Sequence, residues 1–154
     1  MPHIHEKIDY CVEVFIVYKD KILLRMHDKY KIWLSVGGHI ESDEDPIQAA
    51  IREAKEEVGL EIKIIDNRLL PNDESDYKML ITPRYLGSHY VNDIHKHTIF
   101  VYFAKSNTNK ITDSISEHER TETRWVTKEE LGKMNLRSNV LFYATKALEE
   151  LGEK

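Results

Sequence analysis

Apolar residues follow two different rhythms along this chain. Over residues 10–18 they are dense and rich in Val, Ile and Phe, which reads as a strand. Lys19-Asp20 is a turn, and 22–26 is a second strand, so the two predict a hairpin. A polar loop, 27–31, leads to Trp33 and then to a turn at the glycine pair Gly37-Gly38. From 46 to 58 the rhythm becomes helical: at roughly 100° per residue, Ile47, Ala50, Ile51, Ala54 and Val58 share one arc. Further strands are expected at 61–66, 79–82, 84–90, 98–105 and 123–126, with Pro83 as a break and polar loops at 68–75 and 106–120. Thr127, with Glu130 three residues on, opens a short helix to Met134, and 138–151 forms a last amphipathic helix before Gly152. Strands, a helix, more strands and a late helix make an α+β pattern.

The helix at 46–58 carries its own boundary signals. Asp45 suits the N-cap, and Pro46 the first helical position, where its missing N–H costs nothing. Gln48 at the third position allows reciprocal capping with Asp45. Gly59 suits the left-handed residue that ends a helix.

The same helix holds Glu53, Glu56 and Glu57 on an arc adjacent to the apolar one, with Ala49 among them. Carboxylates three and four residues apart repel, and helix stability alone would separate them. Hard divalent cations want several carboxylate oxygens at one point, and this spacing supplies them. Ala49 is expected to let a ligand approach closely, and Arg52, one turn before Glu56, to orient it by hydrogen bonding. The competing reading of such a triplet is a solvated acidic face. What weighs against it is the longer pattern.

From Gly38 the chain runs five residues to Glu44, seven more to Arg52-Glu53, then Ala54, Lys55, Glu56-Glu57, Val58, Gly59 and Leu60. This is G-x5-E-x7-R-E-U-x-E-E-x-G-U, with U apolar, matched at every specified position. At ordinary composition it would arise by chance at a given start with a probability on the order of 10⁻⁸ to 10⁻⁹. The chain thereby resembles the Nudix hydrolases, the MutT-like family, strongly over 9–131. The resemblance implies a mixed sheet sandwiched between helices and hydrolysis of a diphosphate bond in a nucleoside diphosphate derivative. It implies Mg²⁺, with Mn²⁺ as an alternative. Glu56 and Glu57 are the expected principal ligands, and Glu53 a third ligand or the base that activates water. A backbone carbonyl of Gly37, or of adjacent Gly38, would complete the site. Arg52 would orient a carboxylate, and Glu44 would reach the metal through water or a neighbour. A late-loop carboxylate often joins; Glu117, Glu119 and Glu122 qualify, Glu119 first. Val36 stands where the family often has proline, which concerns loop stiffness and no ligand.

Composition narrows the rest. At 154 residues, with 41% hydrophobic and 32% charged, the chain is one globular domain over 1–154. No apolar run reaches membrane length, the first ten residues lack a signal-peptide core, and Cys11 is a lone structural cysteine. A cytoplasmic protein is expected. A net charge of −5 argues against a nucleic-acid polymer as partner but not against a phosphorylated small molecule, because bound metal reverses the local charge. Arg25, Lys29, Lys31, Lys78 and Arg84 are the cations expected to gather near the site. Arg25, Trp33, His39 and Tyr77 are candidate substrate contacts, with Tyr30 a further ring able to stack on a base. Packing is the plain alternative for each ring. His3/His5 and His95/His97 alternate and could hold a soft metal, a strand-face role being the competing reading. Subclass signals are poor. Nucleoside triphosphates, oxidised ones included, rank first as substrate. Nucleotide sugars, dinucleoside polyphosphates and ADP-ribose follow. A nucleotide-sensing domain without hydrolysis is the rival from another class, disfavoured by the complete motif. An isoprenoid diphosphate isomerase lacks its second cysteine motif here. Dimers are common in the family, so a homodimer stays open.

Overall fold

The structure, a computed structural model, describes residues 7–66, 68, 73–74, 76–112 and 121–154. In chain order its elements are β1 (Ile8–Tyr18), β2 (Lys21–Met26), β3 (Trp33–Leu34), β4 (Val36–His39), α1 (Pro46–Val58) and β5 (Ile62–Ile64). β6 (Tyr85–Tyr90), β7 (Lys96–Ser106), β8 (Thr123–Thr127), α2 (Lys128–Leu131) and α3 (Ser138–Leu151) follow.

The described strands form one mixed sheet ordered β3-β2-β1-β7-β5, with β4 added to β1, β6 to β7 and β8 to β2. The expected hairpin is present, Val17 facing Ile22. The long central pair is parallel, β1 running beside β7 from Ile8–Lys96 to Val17–Lys105. Both are apolar on both faces because helices cover both. Val12, Val14 and Ile16 point toward α1 and pack with Ala50, Ala54 and Val58. Cys11, Phe15 and Val17, alternating with them, pack with Val140, Ala144 and Leu148 of α3. The expected α+β sandwich is therefore the observed architecture.

Several local expectations are corrected. The glycine pair lies within a strand, β4, hydrogen-bonded against β1 with Gly37 opposite Glu13 and Gly38 opposite Val12. Residues 79–82 form no strand, and α2 stops at Leu131 instead of reaching Met134. On α1, Ile51 is 45% exposed while Ala49 is fully buried. The buried face, Ala49, Ala50, Glu53, Ala54 and Val58, is thus rotated toward the carboxylates. Ala49 packs in the core and has no exposed surface to offer a ligand.

Candidate active site

The site begins with how α1 is held. Asp45 Oδ1 accepts from Gln48 N at 2.9 Å, and Gln48 Oε1 accepts from Asp45 N at 2.9 Å. Gly59 closes the helix in the left-handed region at φ 69°. With both ends fixed and the alanine face against the sheet, Glu53 and Glu57 project onto β4. There the glycines make room. A Cβ on Gly38 would collide with the Glu53 carboxylate, and one on Gly37 with the Val12 carbonyl. Close approach is the reason for the pair, since neither glycine is left-handed.

Arg52 ties the acidic groups together. Its guanidinium grips Glu44 through two parallel bonds, Nη2 to Oε1 at 2.6 Å and Nε to Oε2 at 2.9 Å. Nη1 donates to Glu53 Oε1 at 2.9 Å and to Glu56 Oε2 at 3.1 Å. Nη2 also donates to the His39 carbonyl at 3.0 Å, which anchors the helix to β4. Glu57 is held from the other side: Oε1 accepts from Gly37 N at 2.8 Å, and Oε2 pairs with Arg25.

The electrostatics follow from this crowding. Burial first, then repulsion by Glu57, pushes the Glu53 carboxyl up to about 7, with Arg52 pulling the other way. The hydrogen bond from Arg52 holds Glu44 below its ordinary value. The Arg52 guanidinium is in turn held above its own ordinary value, chiefly by Glu44. Glu56 stays half-exposed, with one oxygen on Arg52. Three carboxylates with more negative charge than their arginines cancel locally, all offering hard oxygens, fit a divalent cation of the Mg²⁺ kind. The Gly38 cradle, filled by Glu53 itself, is what brings the deepest of them within reach of the backbone.

Beside these groups opens a cavity of about 580 Å³, lined among others by Gly37, Glu57, Arg25, His27, Tyr30 and Arg137. His27 and Tyr30 stack on each other at 4.8 Å between ring centres. Buried Arg25 Nε has no hydrogen-bond partner among the described residues. Glu13, opposite Gly37, also borders the cavity, and burial raises its carboxyl.

Comparison with known proteins matches the NUDIX domain over residues 10–145. The chain belongs to the Nudix family. A NUDIX-family hydrolase from Clostridium perfringens is 36% identical, with 93% of this chain and 97% of that one covered and a TM-score of 0.80. A MutT protein from Methanosarcina mazei Go1, 18% identical, shares the fold at a TM-score of 0.68 over 95% of this chain and 97% of its own. So does a MutT NUDIX hydrolase from Burkholderia pseudomallei, 20% identical, at 0.65 over 95% and 99%. No curated protein matches the chain. Nudix membership makes this a hydrolase of the pyrophosphohydrolase class, whose members act on small phosphorylated substrates and generally use a divalent metal.

Within this Nudix site, the expected residues fall into three groups. Gly37, Gly38, Glu44, Arg52, Glu53, Glu56 and Glu57 come together, and of these Gly37, Gly38 and Glu57 line the cavity with Arg25 and His39. Trp33 packs against the α3-side core with Arg124 over its ring at 5.0 Å, away from the cavity lining. Tyr77 is 63% exposed and does not line the cavity either. Lys78 reaches Asp45, and Arg84 pairs with Glu150 of α3, so neither cation stands at the Nudix carboxylates. Glu117, Glu119, His3 and His5 lie outside the described residues. Glu122 bonds to Arg124 and does not border the cavity. Arg137, Glu13 and His89 line the cavity without having been singled out, because no local pattern marks a lone residue on a distant element.

Proposed function

We propose that the protein is a Mg²⁺-dependent Nudix pyrophosphohydrolase, with Mn²⁺ able to substitute, acting on a nucleoside diphosphate derivative. Nucleoside triphosphates, oxidised ones included, are the first substrate class. The observation that carries this reading is the convergence of Glu53 and Glu57 on the β4 glycines, held by Arg52 and Arg25, with Glu56 tied to Glu53 through Arg52. Glu53, Glu56 and Glu57, with the Gly37 carbonyl, would hold the metal. When bound, it would neutralise charge on the diphosphate oxygens and make water more nucleophilic. Arg52 keeps Glu53 and Glu56 oriented, and Glu44 keeps Arg52 in place. Glu53 and Glu56 share the work of metal holding and proton removal. Arg25 lines the cavity and presents its charge to a phosphate group there, and the stacked His27–Tyr30 wall offers a base an aromatic surface. The reading includes one domain over 1–154 and a cytoplasmic setting. Among the described residues no helix is long and apolar enough to cross a membrane.

The test is turnover of a nucleotide panel with Mg²⁺, using wild type and Glu56→Gln. The panel holds ordinary and oxidised triphosphates, ADP-ribose, nucleotide sugars and dinucleoside polyphosphates. Wild type should turn over at least one member, chelator should stop it, and added Mg²⁺ should restore it. Glu56→Gln should lose on the order of 100-fold or more in kcat. Tight binding across the panel without turnover would instead support a sensor and overturn the enzyme reading.

A further inference from the structure

The cavity has a second wall of different chemistry. Side chains alternate along strands, and the strand register sets Cys11 opposite His39 and Asp9 opposite His97. All four therefore emerge on the α3-bearing face of the sheet, at the end of the strands. His39 and His97 line the cavity. His39 Nε2 lies 3.3 Å from His97 Nε2 and 3.4 Å from Asp9 Oδ2. In a tetrahedral site with nitrogen and oxygen ligands, bonds of about 2.0–2.1 Å put ligand atoms ~3.3–3.4 Å apart. The His39–His97 and His39–Asp9 separations both match that edge. Asp9, His95 and His97 also bring one ligand atom each within 4.8 Å of one another, as do Cys11, His39 and His97. Asp9 is 1% exposed, and the oxygen that faces His39 also meets His95 Nε2, at 3.1 Å.

We propose that Asp9, His39 and His97 form a site for a divalent transition-metal ion, Zn²⁺ first, with its fourth position open to the cavity. His95 acts as a positioning residue that orients the Asp9 carboxylate, a hydrogen-bonded support of the kind such ligands commonly have. The two sites sort cations by donor type. Three Nudix-box carboxylates suit a hard ion, whereas two imidazoles and one carboxylate suit Zn²⁺. The open position takes water or a phosphate oxygen of a molecule in the cavity. The backbone links the sites directly, because the His39 carbonyl accepts from Arg52.

Zn²⁺ binding to the full chain tests this by calorimetry in excess Mg²⁺, which keeps the carboxylate site occupied. Wild type should take up one equivalent. Asp9→Asn and His97→Gln should each weaken it on the order of 100-fold, and Glu56→Gln should leave it unchanged. Unchanged Zn²⁺ affinity in both Asp9→Asn and His97→Gln overturns the proposal, wherever else the ion sits, and so does loss of binding in Glu56→Gln alone. Should those two cluster variants fail to fold by circular dichroism, the absorption of Co²⁺-loaded wild type decides. An intense tetrahedral spectrum upholds the site, and a weak octahedral one overturns it. Both readouts are independent of turnover, so their failure would leave diphosphate hydrolysis standing.

Discussion

Gly38 has no room for a methyl group, because Glu53 occupies the place where one would go. Gly38→Ala must push that carboxylate off β4, which strains the packing by about 1–3 kcal/mol. The expected result is a lower Tm together with a loss of metal-dependent turnover, measured on the same preparation. Arg52 is a second point where residue type matters more than charge. Its planar fork meets Glu44 through two bonds and still reaches Glu53, Glu56 and the His39 carbonyl. A lysine keeps the charge and loses the fork. Arg52→Lys should therefore lower kcat at least about tenfold with KM little changed, since the bonds of Arg52 go to box carboxylates and to the His39 backbone, and none to Arg25. Recovery of wild-type kcat in this variant would show that charge alone suffices. Both residues were legible in the sequence, because the motif marks them at fixed spacing. The reason for Gly38 was not legible, since it depends on a side chain fifteen positions away on another element.

At the scale of the element, α1 is specified by its ends. The reciprocal Asp45–Gln48 bonds and left-handed Gly59 occur where the local signals place them. Asp45→Ala should cost about 1 kcal/mol, a fall in Tm of about 3 °C, without altering metal dependence. Gly59→Ala should cost more, because its φ of 69° disfavours a side chain and Thr112 already fills the space. Thermal unfolding of the two variants side by side checks the order. What the ends could not reveal is the rotation of the helix. Hydrophobicity alone set Ile51 in the core, yet it is 45% exposed, and buried Glu53 sits on the inward face. The helix turns because its alanines allow close approach to the sheet and the site needs Glu53 and Glu57 there. A hydrophobic arc counts apolar residues and is blind to a carboxylate that must be inside.

Across the whole molecule, the cavity gathers residues from distant parts of the chain: Arg25 on β2, Glu57 on α1, His97 on β7 and Arg137 at the start of α3. Arg137 lines the cavity and makes no bond to the box carboxylates among the described residues, so a substrate contact is the role to test for it. Arg137→Ala should raise KM several-fold for an anionic substrate while kcat changes little, and steady-state kinetics at fixed Mg²⁺ would show it; a fall in kcat at constant KM would contradict that role. The sequence by itself determined the α+β class, the ends of α1 and the carboxylate set, because capping, periodicity and the box are local patterns within a few turns of chain. Only the tertiary structure decided the parallel pairing of β1 with β7, the rotation of α1 and the meeting of Asp9, His39 and His97. Each of these depends on contacts between residues far apart in sequence, where no spacing rule applies and packing on both faces of the sheet selects the arrangement.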